Sequence, residues 1–167
     1  LHNLITAYVR ARKMGLEWPL VLAGAGAQDY VATLVARVEE LGLERWVYFA
    51  GYAERERLPS LYRTANALVY PSLYEGFGLP VIEAMACGIP VVVSARSCFP
   101  EIVGEAGILV EPDDPDSIAD GVVNLASDRD LREDLGRKGQ VRARAFSWER
   151  VARETLRVYL QTAGESS

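Results

Sequence analysis

The chain has 167 residues, a length suited to one compact domain, and carries 18 Lys+Arg against 23 Asp+Glu for a formal net charge of −5. Half of its residues are hydrophobic and a quarter charged, which is ordinary globular composition and argues against a disordered, collagen-like or disulfide-dense chain. The mild acidity argues against a nucleic-acid partner, and one His (His2) with two Cys (Cys87 and Cys98) leaves no His-centred triad and no zinc-ligand spacing.

Short apolar runs alternate with longer helical patterns. Residues 1–13 read as a helix with Leu4, Ile5, Tyr8 and Val9 on one stripe. Residues 19–23 read as a strand ended by Gly24-Ala25-Gly26. Residues 29–41 repeat Tyr30, Leu34, Val38 and Leu41 at helical spacing, and Gly42 stands where a C-terminal cap belongs. A strand over 46–50 ends at Gly51. A short helix over 55–64 contains Pro59, which obscures its start. A strand over 67–70 ends at Pro71, and the loop 72–79 follows. Pro80 then opens a helix to about Cys87, with Gly88 as its stop. Strands over 90–93 and 107–110 and helices over 117–127, 131–144 and 147–161 complete the pattern, and the tail 164–167 is expected to fray. No apolar run approaches the roughly 20 residues of a membrane-spanning helix. The first residues show no signal-peptide pattern, and since residue 1 is Leu the expectation is that the chain begins inside a longer product.

This alternation implies an α/β domain: a Rossmann-like parallel sheet with helices on both faces. In such sheets ligands bind beyond the C-terminal ends of the strands, so the loops after Ala23, Phe49, Tyr70 and Val93 are the places to look.

The segment from Glu75 to Glu83 is the most informative. Gly76 and Gly78 allow close backbone approach, and a helix begins directly after them with unpaired N–H groups and the positive end of its dipole. Strand, glycine loop and helix start together suit a phosphate. Carboxylates accept hydrogen bonds from vicinal sugar hydroxyls, so two of them around a phosphate cradle suggest a nucleotide sugar. The alternative is that Glu83 only complements the helix N-terminus while Glu75 is a solvated loop residue. For Gly24 and Gly26, an ordinary strand-to-helix turn competes with a place beside a ligand.

The stretch Leu61-Tyr-Arg-Thr-Ala-Asn-Ala-Leu-Val-Tyr-Pro-Ser-Leu-Tyr-Glu-Gly-Phe-Gly-Leu-Pro-Val-Ile-Glu-Ala-Met-Ala-Cys-Gly-Ile-Pro-Val-Val-Val-Ser94 closely resembles the signature of group 1 (family 4) retaining glycosyltransferases. The likeness extends to Phe99–Gly104, Gly107–Pro112, Phe146-Ser-Trp-Glu149, Leu20–Gly26 and Val47–Gly51, so that residues 1–167 match that family's donor-binding, C-terminal half. The resemblance implies one half of a two-domain GT-B enzyme that transfers a sugar from a nucleoside diphosphate sugar to an acceptor hydroxyl with retention. It places Glu75 at the sugar near the reacting carbon and Glu83 at the ribose hydroxyls. The backbone N–H groups of Gly76, Phe77, Gly78 and Leu79 would meet sugar and diphosphate, Gly51 and Tyr52 would lie beside the base, and Gly24 and Gly26 would border the cleft. No metal and no further cofactor are expected. The expected partners are a GDP- or UDP-sugar and an N-terminal acceptor domain, through which a cytoplasmic protein could touch a membrane peripherally. A non-catalytic nucleotide-binding or interaction module is the competing reading.

Two departures stand out. Asn66 occupies a place where the family usually has Asp. The strand, Arg and Lys that open the family's donor domain would lie upstream of residue 1, so this chain alone is expected to be inactive; His2 does not substitute for that Lys. Asp114-Pro115-Asp116 mimics a metal-binding pattern but reads better as a turn and helix cap. Glu101 and Arg96 are candidates for donor contact, Cys98 reads as structural or merely exposed, and the arginines between 129 and 144 read as a solvated helix face. Trp148 and Tyr159 are expected to pack the last helix.

Overall fold

The computed structural model describes residues 1–164. The elements in chain order are α1 (His2–Lys13), β1 (Leu20–Ala23), α2 (Gln28–Glu40), β2 (Val47–Gly51), α3 (Leu58–Thr64), β3 (Leu68–Tyr70), α4 (Leu79–Ala86), β4 (Val91–Ser94), α5 (Phe99–Val103), β5 (Ile108–Val110), α6 (Pro115–Ser127), α7 (Arg129–Ala143) and α8 (Trp148–Gly164). All strand pairs are parallel, as the strand–helix alternation requires. The strands form two ladders, β1-β2 and β3-β4-β5.

Side chains alternate across a strand, and the alternation feeds two cores. Val69, Val92, Ile108 and Val110 point into a cluster with α1, α2 and α6. Leu68, Tyr70, Val91 and Val93 point into a second cluster with α3, α4 and α5. Leu20 and Leu22 of β1 join the first cluster, so both ladders share one layer of helices while no backbone hydrogen bond joins β1 to β3. The expectation of a sheet covered on both faces therefore holds for β3-β4-β5, where every residue of β4 is buried. It fails for β1-β2: Val21 and Tyr48 on the opposite face are 46% and 53% exposed, because no helix of the second layer reaches them.

Several boundaries moved for local reasons. Pro59 lies in the first turn of α3, so the helix starts at Leu58, not at 55. The Asp114 carboxylate accepts the Asp116 N–H at 2.9 Å and so starts α6 at Pro115, two residues before the expected start. Asp128 does the same for Leu131 at the head of α7. The five-residue α5 is too short to show a periodic stripe, and only Glu101 hinted at it. The prediction for Trp148 and Tyr159 is corrected: α8 buries no residue, and these two are 71% and 66% exposed. An amphipathic helix at the chain end finds no apolar surface of the described residues to cover. Gly164 closes α8, and 165–167, the rest of the expected frayed tail, lie outside the described residues. Among the described residues no helix is long and apolar enough to cross a membrane.

Candidate functional site

β3 leads directly into the glycine loop, and what anchors the loop is aromatic. The Tyr70 hydroxyl, at the last position of β3, donates to Glu75 Oε1 at 2.9 Å, and Ser72 Oγ donates to the same oxygen at 3.2 Å. Both hydroxyls converge on one carboxylate oxygen and orient the side chain, the Ser72 proton being shared with the Tyr74 carbonyl at 3.2 Å. Tyr70 is itself held edge-on against the buried Phe99 ring, centroids 5.8 Å apart. Burial first, then the hydrogen bond to Glu75 and the charge beside it, push the Tyr70 phenol up to about 12, so at neutral pH it remains a donor.

Glu83 is served in the same way from another element. The Tyr62 hydroxyl, on α3, donates to Glu83 Oε2 at 3.3 Å. Its pKa is raised by burial, then by the charge of Glu83. Glu83 is the fifth residue of α4, and the first turn of that helix holds no acid. The reading of Glu83 as a simple complement to the helix N-terminus therefore finds no support in the geometry, nor does Glu75 as a free loop residue.

Between the two carboxylates the backbone turns into α4 through Gly78, with φ 70°. A Cβ there would stand 2.7 Å from the Phe99 ring, so both the dihedral and the space demand glycine. Pro80 follows in the first turn and carries no N–H, and Val81 N–H turns back to Gly78 O at 3.0 Å. The N–H groups of Gly76, Phe77, Gly78 and Leu79 donate to no acceptor among the described residues. Four consecutive unclaimed donors beside the positive end of a helix are the chemistry an anion requires. Phe77 and Leu79 are both exposed, and Phe77 meets Phe146 edge-on at 6.0 Å.

The remaining expected residues sit on the other ladder. Gly24, with φ 146°, donates its N–H to Gly51 O at 2.8 Å, tying the C-terminal ends of β1 and β2 together. Tyr52 is 75% exposed just beyond. At Gly26 an added Cβ would make only ordinary contact with Val31 and Tyr30, so packing alone does not require glycine there. No hydrogen bond, ion pair or ring contact among the described residues joins this group to the Glu75 loop. Arg96, a candidate for donor contact, is spoken for: its guanidinium pairs with Asp113 at 2.6 Å and Glu111 at 2.9 Å. Glu101 lies in the first turn of α5, where its carbonyl accepts from Arg142 at 2.5 Å. The expectation of a solvated arginine face holds for Arg129 and Arg137, which pair with Glu133 and Asp134 one turn away. It is corrected for Arg132 and Arg142, which donate to the carbonyls of Leu125 and Ala126 and of Ile102 and Glu101.

The two tyrosines were missed by sequence reasoning. A signal existed: Tyr62 and Tyr70 precede the paired acids at the same separation of eight that divides Glu75 from Glu83. Without the fold nothing says that the pairing is nested, inner with inner and outer with outer.

The profile described as "Glycosyl transferases group 1" matches residues 1–142. O-antigen chain mannosyltransferase B of Escherichia coli is 40% identical over 161 residues, 95% of this chain and 42% of that protein. D-inositol 3-phosphate glycosyltransferase of Corynebacterium jeikeium is 37% identical over 139 residues, 82% of this chain and 33% of its own length. Among solved structures, sucrose-phosphate synthase of Thermosynechococcus elongatus superposes with a TM-score of 0.86 at 33% identity, covering 98% of this chain and 43% of that one. Anabaena Alr3699/HepE in complex with UDP and glucose gives 0.85 at 26% identity, covering 95% and 44%. The chain thus spans less than half the length of the relatives it matches. It belongs to the group 1 glycosyl transferase family.

Proposed function

We propose that this chain is the donor-binding half of a retaining glycosyltransferase of GT-B type, which moves a sugar from a nucleoside diphosphate sugar to an acceptor hydroxyl. The observation that carries the reading is the Glu75 carboxylate, steered by Tyr70 and Ser72, beside the unclaimed N–H groups of Gly76–Leu79. The diphosphate takes those donors, the sugar lies against Glu75, and Glu83 accepts from the ribose hydroxyls. Gly51 and Tyr52 flank the base, and Gly24 and Gly26 border the cleft. The barrier lies in departure of the diphosphate, and oriented N–H dipoles stabilise the charge that develops there. No metal is assigned a part: Asp114 is spent on capping α6.

The acceptor site belongs to an N-terminal domain outside this chain. Two observations support a larger body. The relatives are more than twice as long, and β1 and β3 present unpaired edges to one shared core, which suits one further parallel strand between them.

Calorimetric titration of UDP, GDP and ADP into the chain tests this. Glu83→Ala is expected to weaken nucleoside diphosphate binding about tenfold, the scale of a hydrogen bond to a charged group. Unchanged binding sinks the ribose assignment and favours an interaction module without a donor. Multiple-turnover sugar transfer by this chain alone sinks its assignment as half of a site.

A further inference from the structure

A second loop closes on Glu75, and its contacts serve no other evident purpose. Ser97, in the connection between β4 and α5, has φ 59° and is the only non-glycine among the described residues with positive φ. That left-handed conformation disfavours any residue with a Cβ and persists only where its surroundings hold it. They do so at three points. Ala95 N–H donates to Val110 O at 2.8 Å. Arg96 N–H donates to the oxygen of the fully buried Ser94 at 3.1 Å. The Arg96 guanidinium forks onto Glu111 and Asp113.

The result is one hydroxyl engaged with both main-chain polar groups of one residue. Ser97 Oγ accepts the Glu75 N–H at 3.2 Å and donates to the Glu75 carbonyl at 2.7 Å. Cys98 Sγ adds a weaker contact to the same carbonyl at 3.5 Å. Glycine would adopt this φ freely but carries no hydroxyl, so a serine here exchanges conformational ease for a clamp.

We infer that Ser97 is a positioning residue: its hydroxyl locks the main chain of Glu75, so that the carboxylate steered by Tyr70 and Ser72 meets the donor's sugar in one orientation. The inference rests on the donor-binding reading of Glu75. Tyr70 and Ser72 set the side-chain torsions and Ser97 sets the peptide from which they spring. Its loss is therefore felt most at the sugar, and less at the diphosphate, which meets one peptide of the clamped segment, Gly76 N–H, among four donors.

The test uses Ser97→Gly, which removes clamp and strain together, and Ser97→Ala, which removes the clamp and keeps the strain. Two readouts are taken: amide hydrogen exchange at Glu75, and titration of UDP against UDP-glucose and of GDP against GDP-mannose. Expected for Ser97→Gly is a melting temperature no lower than wild type, with Glu75 exchange accelerated about tenfold or more. In both variants nucleotide affinity stays within about twofold, while the extra affinity supplied by the sugar falls about tenfold. A purely structural role leaves that sugar increment untouched. Unchanged exchange at Glu75, or a surviving increment in both variants, overturns the inference. Wild type binding none of the four ligands, or binding nucleotides with no gain from the sugar, overturns instead the reading of Glu75 on which it stands.

Discussion

The two ladders of this chain are built from the same kind of strand and end up in different circumstances. β3-β4-β5 is sandwiched: α4 and α5 cover one face, α1 and α6 the other, and β4 is buried throughout. β1-β2 is covered on one face only, with Val21 and Tyr48 exposed on the other. The ordered carboxylates belong to the sandwiched half, because orienting Glu75 and Glu83 takes phenols held rigid by a core. What lies on the thinner half is backbone: the linked glycines at the strand ends and the exposed Tyr52.

Mutations should reveal the contrast in proportion to packing. The largest loss is expected for Phe99→Ala. This ring is fully buried beneath Gly78 and against Tyr70, and its removal should cost about 3–5 kcal/mol in urea denaturation. A loss below about 1 kcal/mol would mean that the sandwiched half is loosely packed. Next comes Gly136→Ala. A Cβ there would stand 2.4 Å from the Gly88 carbonyl oxygen, a backbone atom that cannot swing away, and the expected cost is about 1–3 kcal/mol.

A smaller effect is expected in alkali. The Tyr70 pKa is raised in the folded state, so the folded chain holds this proton after the unfolded chain has lost it. Its contribution is complete below pH 10 and fades as pH rises from 10 toward about 12. Stability should fall across that window, and Tyr70→Phe should flatten the fall in a pH series of melts; an unchanged slope would show that the phenol is not held as described. The smallest effect is expected for Val21→Thr on the bare face of β1, within about 0.5 kcal/mol. A larger cost would erase the contrast between the ladders.

Much of this was legible beforehand because it rests on local chemistry. The strands announced themselves as apolar runs, and Pro80 and Gly78 marked the start of α4. The paired acids were visible because they flank a glycine loop. What stayed hidden depends on chain segments meeting at a distance. Tyr62 reaches Glu83 across 21 positions and Ser97 reaches Glu75 across 22, and no spacing rule joins them. The exposure of Trp148 and Tyr159 was hidden for the opposite reason: an amphipathic pattern states that a helix has an apolar side, not that the same chain covers it.

The pairing of α1 with α6 also sets an order of events. These helices bury their apolar stripes in one cluster, and the Asn3 amide donates to the Pro112 carbonyl at 3.0 Å across 109 positions. The strand–helix units of the 68–110 stretch close short loops, whereas α1 must wait for a partner about 100 residues further along. At a synthesis rate of about 5–20 residues per second, that wait lasts on the order of 5–20 seconds. Throughout it Leu4, Ile5 and Tyr8 lack their α6 partners, so α1, made ahead of every other described element, is among the last of them to dock fully.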